Sequence, residues 1–363
     1  MKTASHILIV LLMCSLQSFA GNKERIGQAG SNQLLINPWA SSGGLGGSNS
    51  ASVNGVESFN WNIAGLSAVG KTEFAYSNVR LFSGSDIAVN SVAIGQRVGE
   101  SSVLGIGFNS FNFGNIPVTT TENPDGGLGT FSPQFLNFTI AYARAFSNSI
   151  QGGGAVRVVS ESINNLGASG VALDAGIRYV YGKYDRAKFG IALRNVGPKL
   201  TYGGDGLATT VTYNDNEFTM NQRTEGFEMP ALLNIGASYD MYLFPRTDGE
   251  GNVSVAEGEK PSDYRVTVNG TFTSNSFSPD QIRAGLEFGF KEYFAVRGGL
   301  IYEGGLFDPL SKGRVNANAG PVIGFAAMLP FKGKENSGFK LDYAYRFANP
   351  LGGTHAIGLK LNI

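Results

Sequence analysis

Length, composition and charge already exclude several kinds of protein. The 363 residues include 28 Lys and Arg against 28 Asp and Glu, so the basic excess of a nucleic-acid-binding protein is missing and we expect no nucleic-acid partner. Only 15% of the residues are charged, against about 25% in soluble domains, and the 51 glycines are about twice the usual share. Few charges, many glycines and a mean hydropathy near zero are typical of an outer-membrane β-barrel.

The first twenty residues predict a secretory signal peptide. Lys2 precedes a short apolar run at 7–12, and the small residue Ala20 suits cleavage before Gly21. The single cysteine, Cys14, lies inside this segment, so we expect the mature chain to contain no disulfide or cysteine metal site. No later apolar run reaches the roughly eighteen residues of a transmembrane helix, so the chain can span a membrane only as a closed barrel.

Residues 21–70 lack the alternation of apolar and polar residues that a strand shows. They contain the glycine-rich stretch 43–47 and the sequence FNWNIAGL at 59–66. We expect an irregular segment with a short helix near residues 53–59. Such a segment is suited to plug the lumen of a barrel.

From about residue 72 onward, segments of roughly ten residues alternate apolar and polar side chains, and turn residues separate them. This alternation predicts strands with one apolar and one polar face. The sequence therefore predicts an all-β fold over residues 71–363, a transmembrane antiparallel β-barrel of about 14 strands with an N-terminal plug-like segment. The candidate strands are 73–81, 87–98, 103–113, 135–146, 150–162, 171–181, 188–196, 231–242, 265–273, 281–290, 294–302, 318–328, 339–347 and 354–363.

The lengths of the predicted connections support a membrane barrel over a soluble sandwich. Outer-membrane barrels have long loops outside the cell and short turns in the periplasm. The connections after the third, seventh and eleventh strands are long, at 114–134, 197–230 and 303–317. One segment, 243–264, is long where a short turn is expected, which indicates either a periplasmic insertion or an undetected strand.

The two faces of the predicted strands suggest different environments. The apolar set, exemplified by Phe138, Ile140 and Tyr142, is expected to face outer-membrane lipid. The opposite face carries charges of both signs, which predicts a polar lumen. It is either a salt-bridged filling or a track for a substrate, and its candidate residues are Asp174, Arg178, Arg194, Arg283, Glu287 and Arg297.

Apolar residues in the long loops are the candidates for contact with a partner protein or with lipid. Function concentrates in loops that a rigid scaffold carries, and exposed apolar residues there indicate a binding surface. The alternative is that the loops fold over the mouth of the barrel. The candidate residues are Ile116, Val118, Phe131, Leu207, Tyr213 and Phe218.

The sequence contains little that predicts catalysis. His355 is the only histidine after the signal peptide, and strand parity places it on the lipid face, where an interface role is favoured over that of a catalytic base. The acidic residues Asp205 and Asp215 lack the spacing of a calcium loop, so a solvated loop is favoured. We therefore expect no enzyme activity, no cofactor and no metal site.

Several motifs, in their order along the chain, resemble the PorV/PorQ family of FadL-like outer-membrane barrels. The N-terminal signature of that family is matched by residues 43–47 and 59–66, with Ile63 at the position where the family usually has proline. Within this signature the resemblance rests on Asn60, Asn62, Ala64, Gly65 and Leu66. Further matching stretches are 111–116, 131–135, 190–202, 229–236 and 349–355.

This resemblance implies a location and a function. It implies a fourteen-stranded barrel with an N-terminal segment in the lumen, in the outer membrane of a Gram-negative, Bacteroidetes-type bacterium. It also implies work in type IX secretion, in which the barrel binds the C-terminal domains of cargo proteins at the translocon and passes the cargo on without catalysis. The alternative is a FadL-like channel for small hydrophobic compounds.

Overall fold

A computed structural model describes residues 23–214, 216–246, 260–291, 293–304, 306, 317–331, 337–348 and 351–363. The expected signal peptide at 1–20 lies outside the described residues. So do Asp215, most of the long segment 243–264, and much of the connection 303–317.

Fourteen antiparallel strands form one closed barrel, which confirms the predicted fold class. Each strand pairs with its neighbours in sequence, and β1 pairs with β14 to close the wall. The strands are β1 (Thr72–Arg80), β2 (Ala88–Val98), β3 (Ser102–Asn112), β4 (Gln134–Ala145), β5 (Ile150–Ile163), β6 (Leu166–Tyr181), β7 (Ala187–Val196), β8 (Leu232–Leu243), β9 (Tyr264–Asn275), β10 (Gln281–Phe290), β11 (Phe294–Glu303), β12 (Gly320–Pro330), β13 (Gly338–Ala348) and β14 (Gly352–Asn362).

The structure differs from the sequence-based expectation in two respects, and it selects between the two alternatives left open for segment 243–264. β6 begins at Leu166, five residues before the predicted start at 171, because β5 and β6 are joined by a tight turn at Asn164 with a left-handed φ of 51°. Two short hairpins in the loops were not predicted: Ile116–Pro117 pairs with Thr130–Phe131, and Ala208–Tyr213 pairs with Asn216–Asn221. β8 pairs directly with β9, so no further strand of the described barrel lies between them, and the connection 243–264 is an insertion into the wall's sequence order.

The two mouths of the barrel carry different connections. The connections that follow odd-numbered strands, including the long ones after β3, β7 and β11, lie at one mouth, which we call the loop side. The first residues of β1 and the last residues of β14 pair at the other mouth, which we call the turn side. The insertion between β8 and β9 is the exception, since it lengthens a connection on the turn side.

The outer surface of the barrel is apolar. Along each strand, exposed and buried residues alternate, and the exposed ones are large hydrophobics such as Ile140 (51% exposed) and Ile177 (62% exposed). Tyr142, Tyr179 and Tyr181 lie on this surface near the turn side, as in an aromatic girdle. Among the described residues, none of the helices combines the length and hydropathy needed to cross a bilayer.

The N-terminal segment runs through the lumen and forms the plug, defined here as residues 37–70. The N-terminal segment starts at the loop side, where the backbone nitrogen of Gly30 donates a hydrogen bond to the carbonyl of Glu228 in the connection before β8. The segment ends at the turn side, where it continues into β1. The helices of the N-terminal segment are α1 (Ala40–Gly43) and the 3₁₀ turns Lys23–Arg25, Asn32–Leu35, Gly55–Asn60 and Ile63–Ala68.

Inward-facing glycines of the barrel strands leave the space that the plug occupies. An added Cβ at any of them would come within about 3 Å of a plug atom, so a larger side chain would displace the plug. At Gly236, for example, the new carbon would lie 2.1 Å from the hydroxyl of Ser50. The glycine excess of the sequence is thus partly explained by packing at Gly95, Gly105, Gly107, Gly176, Gly190, Gly236, Gly285, Gly299, Gly324 and Gly358.

Candidate functional site

The signature residues at 60–66, which we call the plug signature, form hydrogen bonds and packing contacts that fix the conformation of the plug. The side-chain oxygen of Asn62 accepts a hydrogen bond from the backbone nitrogen of Ala64 (3.1 Å), which caps the 3₁₀ turn that Ile63 begins without the family's proline. The amide nitrogen of Asn62 donates to the carbonyl of Ile177 on β6 (3.1 Å). Asn62 therefore both starts this turn and ties it to the barrel wall.

The other signature residues pack the plug against itself. Asn60 accepts a hydrogen bond from the indole nitrogen of Trp39 (3.0 Å). Ala64 and Leu66 are fully buried, and a Cβ on Gly65 would lie 2.2 Å from the carbonyl oxygen of Val53. The signature thus specifies a compact plug with little freedom to accept larger residues.

Two chambers lie in the lumen on opposite sides of the plug. The loop-side chamber has a volume of about 430 Å³ and is bordered by the last residues of the odd-numbered strands, among them Arg194, Ile301 and Arg346. The turn-side chamber has a volume of about 550 Å³ and is bordered by Lys188, Asp240 and other residues near the opposite strand ends.

Ion pairs connect the charges around the turn-side chamber. Arg297 binds Glu287 and Asp342, each at 2.6 Å, and Arg265 binds Glu287 at 2.8 Å. Lys188 binds Asp240 at 2.6 Å. Lys360 extends the network to the plug through Glu57 (3.1 Å) and to β1 through Glu73 (3.5 Å). Each buried charge here has a partner of opposite sign, as stability in a low-dielectric interior requires.

A separate buried cluster closes an irregularity between β6 and β7. The pairing register shifts between Leu173 and Ala175, and Asn195 of β7 takes a left-handed φ of 58°. Asp174 accepts hydrogen bonds from the backbone nitrogen of Asn195 (2.6 Å) and from Arg157 (2.9 Å). Arg157 also donates to the plug carbonyl of Phe59 (2.8 Å), so the irregularity is filled by polar contacts.

Three arginines face the loop-side chamber without an acidic partner within ion-pair distance among the described residues. Arg283 donates to the carbonyl of Gly46 (3.1 Å) and to Gln281 (2.6 Å), and Arg346 donates to Thr354 (3.2 Å). Arg194 has no hydrogen bond in the described part of the chain, but its guanidinium carbon lies 5.9 Å from the ring centre of Trp61. The corresponding distance for Arg283 is 4.8 Å, so both guanidiniums flank one indole.

The rest of the loop-side chamber is lined by apolar and by neutral polar side chains. The apolar ones include Ile26, Leu35, Ile36, Leu232 and Phe277, and the polar ones are mainly asparagine and serine. A chamber that combines apolar side chains with convergent polar groups has the composition of a small-molecule site. This combination is absent from the turn-side chamber, whose described border is mainly charged and amide side chains.

All six candidate lumen residues lie inside the barrel, but the structure separates them into different groups. Arg194 and Arg283 border the loop-side chamber, whereas Glu287 and Arg297 border the turn-side chamber. Asp174 belongs to the cluster at the β6–β7 irregularity. Arg178 clamps the plug by donating to the carbonyl of Val53 (2.8 Å) and to the side chain of Asn54 (2.7 Å).

Two residues of the loop-side chamber, Arg346 and Trp61, are outside the candidate set from the sequence. Strand parity places Arg346 on the inward face together with the other arginines, so the sequence does contain the signal for it. Trp61 lies inside the plug signature, but no sequence pattern indicates that its ring stands between Arg194 and Arg283.

The candidate loop residues occupy two different surfaces. Ile116 pairs with Phe131 in the short hairpin of the loop after β3, and Val118 is half-buried beside it. Tyr213 and Phe218 lie on the hairpin 208–221, whose strands are exposed along nearly all of their length. Leu207 lies at its base, where its carbonyl accepts a hydrogen bond from Gln222 (3.0 Å). The hairpin therefore projects from the mouth.

The N-terminal segment is fastened to the loop side by Glu161 of β5. This carboxylate accepts hydrogen bonds from Ser31 (2.5 Å), from Gln33 (2.8 Å) and from the hydroxyl of Tyr202. Partial burial and the neighbouring Glu161 carboxylate raise the pKa of Tyr202 well above its usual value, because both disfavour the phenolate.

His355 contacts hydroxyl groups on the outer face of the barrel. Its Nε2 lies 3.2 Å from the hydroxyl of Ser83, and its Nδ1 lies 2.9 Å from the hydroxyl of Tyr343. A serine-hydrolase triad has a carboxylate at the second nitrogen, where His355 has a phenol. Among the described residues no group of three or more acidic, histidine or cysteine side chains has the arrangement of a metal site.

Comparison with known proteins shows the fold. No protein-family model and no curated protein matches the sequence. The CymD monoaromatic hydrocarbon channel superposes with a TM-score of 0.53 at 13% identity, over 91% of this chain and 98% of the channel. The toluene transporter TbuX of Ralstonia pickettii gives a TM-score of 0.51 at 12% identity, over 90% of this chain and 98% of the transporter. The chain therefore shares the barrel fold of these two structures, with a closed wall of fourteen strands.

At these identities the likeness covers the fold alone. The barrel that the PorV/PorQ resemblance implied is thus confirmed, whereas membership of that family and a role in type IX secretion stay predictions. The fold is one that serves transport in the two similar structures, whose names describe a hydrocarbon channel and a toluene transporter.

Proposed function

We propose that this protein is an outer-membrane channel that takes small, largely apolar molecules from outside the cell into the loop-side chamber. The observation that carries the proposal is the chamber itself, which has about 430 Å³ of space on the loop side of the plug and a lining that includes several large apolar side chains. The names of the two similar structures, a monoaromatic hydrocarbon channel and a toluene transporter, support the same class of solute.

The proposed location is the outer membrane of a Gram-negative bacterium, with the loop side facing outward. The band of exposed apolar residues on the wall supports burial in lipid. The long connections after β3 and β7 support an outward loop side, since outer-membrane barrels keep long loops outside and short turns in the periplasm.

The plug lies on the straight path through the lumen, so a solute that crosses to the turn side needs the plug to move. Polar contacts hold the plug to the wall at many points, including the arginine and lysine contacts described above. Others join neutral groups: Ser50 contacts Thr271 (2.8 Å between hydroxyl oxygens), and Asn234 donates to the carbonyl of Trp61 (3.3 Å). Contacts between neutral groups contribute about 1 kcal/mol each, so this part of the plug can detach without unfolding the barrel.

A disulfide between plug and wall tests the proposal. The double variant Ser50→Cys/Thr271→Cys places thiols where the two hydroxyl oxygens are already in contact. The natural chain has only Cys14, within the expected signal peptide. We expect the oxidised variant to reduce the entry of radiolabelled toluene into expressing cells to the level of cells without the protein, and dithiothreitol to restore entry.

The single variants Ser50→Cys and Thr271→Cys are the controls, since neither can form the link. Heat-modifiability on gels verifies that each barrel is folded. Toluene entry that equals the background with the native protein, or that continues through the oxidised double variant, would refute a plug-gated channel.

A second candidate function is the binding of secreted cargo, as in the PorV type. The observation that favours it is the projecting hairpin 208–221, with Val211, Tyr213 and Phe218 at least 41% exposed. Its partners would be a type IX translocon and the C-terminal domains of cargo proteins in a Bacteroidetes-type bacterium.

Removal of the hairpin separates the two functions. Replacement of residues 208–221 by a short Gly-Ser linker leaves the chamber in place, so toluene entry is expected to continue. If the protein carries cargo, the same variant loses secreted proteins from the cell surface. Unchanged secretion in both this variant and a deletion strain would exclude the cargo function.

A further inference from the structure

The loop-side chamber contains hydrogen-bond donors that no described acceptor satisfies. The Nε atoms of Arg194, Arg283 and Arg346 are buried and have no hydrogen-bond partner within the part of the chain that the structure describes. The indole nitrogen of Trp61 is likewise buried and unpaired. All four residues border this one chamber.

These four groups are donors, and three of them belong to positively charged side chains. An unsatisfied buried donor destabilises a protein, and a charged one does so to a greater extent. The charges also act on one another, since Arg194 and Arg346 both repel Arg283. The barrel thus maintains a concentrated positive potential at a place where its own described residues do not neutralise it with an ion pair.

Glu303 moderates this potential without removing it. Its charge attracts Arg283, but its side chain accepts a hydrogen bond from Gln281 (2.8 Å). Arg283 in turn donates to the side-chain oxygen of Gln281 (2.6 Å). The side chain of Gln281 therefore bridges the guanidinium of Arg283 and the carboxylate of Glu303. The remaining polar neighbours of the chamber, such as Asn234 and Thr273, are neutral.

From this geometry we infer that the solute of the loop-side chamber is a small organic carboxylate. The inference rests on the channel function proposed above and names its substrate class. A carboxylate supplies acceptors with the planar, bidentate geometry that guanidinium groups prefer. The apolar body of the solute contacts Leu35, Ile36, Leu232 and Phe277, and its carboxylate lies between Arg194, Arg283 and Arg346.

Benzoate is the probe, with benzyl alcohol as its neutral and benzylamine as its cationic counterpart. The full barrel in detergent is titrated with each compound, and binding is followed by tryptophan fluorescence. The chain has two tryptophans, of which Trp61 borders the chamber and Trp39 is buried against Asn60. We expect saturable benzoate binding, at least about tenfold tighter than that of either counterpart.

Substitutions localise the site. Arg283→Gln and Arg194→Gln are each expected to weaken benzoate binding about tenfold or more and to leave benzyl alcohol binding unchanged. Arg283→Lys keeps the charge but loses the guanidinium fork, so an intermediate loss is expected. Arg265→Gln is the matched control, because it removes a lumen arginine from the turn-side chamber.

The outcomes separate this inference from the channel function. Benzoate binding equal to that of benzyl alcohol, or weakened as much by Arg265→Gln as by Arg283→Gln, overturns the carboxylate site. Toluene entry that depends on the plug would then still support a channel for neutral solutes. Conversely, benzoate binding that requires Arg194 and Arg283, without any plug-dependent entry, supports the site and removes the channel.

Discussion

The two chambers of this barrel hold buried charge in opposite ways. Around the turn-side chamber, Arg297 lies between Glu287 and Asp342, with both contacts at 2.6 Å. Around the loop-side chamber, Arg283 lies between the carbonyl of Gly46 and the neutral side chain of Gln281. The same residue type therefore closes a salt-bridge network on one side of the plug and presents an unneutralised charge on the other.

The difference between paired and unpaired arginines indicates a different role for each chamber. A fully paired network fixes neighbouring strands and the plug relative to one another, as Lys360 does by joining β14 to Glu57 of the plug. Buried donors that the described residues leave unpaired gain partners only when a ligand occupies the chamber, and such a ligand then stabilises the folded protein. We therefore read the turn-side chamber as structural and the loop-side chamber as the binding site.

The largest expected effect is that of Arg297→Met in the turn-side chamber. This substitution removes the cation that Glu287 and Asp342 share and leaves their buried carboxylates without this ion-pair partner. A loss of about 3–5 kcal/mol in unfolding free energy is therefore expected. The measurement is the urea midpoint of the unfolding transition in detergent, followed by heat-modifiability on gels.

Arg283→Met is the counterpart on the loop side. Because it removes an uncompensated charge, the ligand-free barrel is expected to keep its stability or gain some. Equal losses for Arg297→Met and Arg283→Met would show that the two chambers do not differ in the way the contacts indicate.

A smaller effect is expected from Gly47→Ala, which disturbs the loop-side chamber through the plug. Gly47 has a φ of +70°, and an added Cβ would lie 1.8 Å from the ring of Trp61. The indole must move, with a loss of about 1–3 kcal/mol in stability, a change in tryptophan fluorescence and weaker benzoate binding.

Gly27→Ala is the control for backbone strain in the Gly47 experiment. Gly27 has a φ of +85°, but no atom lies within 4 Å of its added Cβ. An equal fluorescence change in both variants would mean that strain, and not the displaced indole, is responsible.

The smallest expected effect concerns the fastening of the N-terminal segment at the loop side. The pKa of Tyr202 is raised in the folded protein, so its hydroxyl stays protonated and bonded to Glu161 at a pH where the unfolded chain ionises. This contribution is complete below about pH 10, the ordinary pKa of tyrosine, and is lost as the pH rises above it.

Tyr202→Phe therefore destabilises the protein slightly at about pH 8, and the difference from the native protein shrinks at about pH 11. Thermal transitions at the two pH values measure it. A difference that grows with pH would contradict the assigned hydrogen bond to Glu161.

The wall of the barrel was predictable because strand periodicity is local. A period of two fixes which residues face inward, so Arg283, Gly285 and Glu287 were placed on one face by their spacing alone. The ion pair between Glu287 and Arg297 follows from the tight β10–β11 hairpin, in which the two residues are directly opposite.

The chambers were not predictable because they depend on contacts between distant parts of the chain. Asp342 reaches Arg297 from β13, two strands away, and no pattern within either strand indicates this partner. The position of the Trp61 ring depends on the path of the plug, which is set by glycines spread over nine strands. The exposed hairpin 208–221 was missed because a long polar connection carries little periodic signal.

The path of the N-terminal segment bears on how the barrel is assembled. The seam between β1 and β14 joins the two ends of the wall, so it is the strand pairing with the greatest separation along the chain. The segment before β1 runs through the lumen from the opposite mouth. A sheet that curls around this segment before the seam pairs spares the folded plug a passage through a finished cylinder.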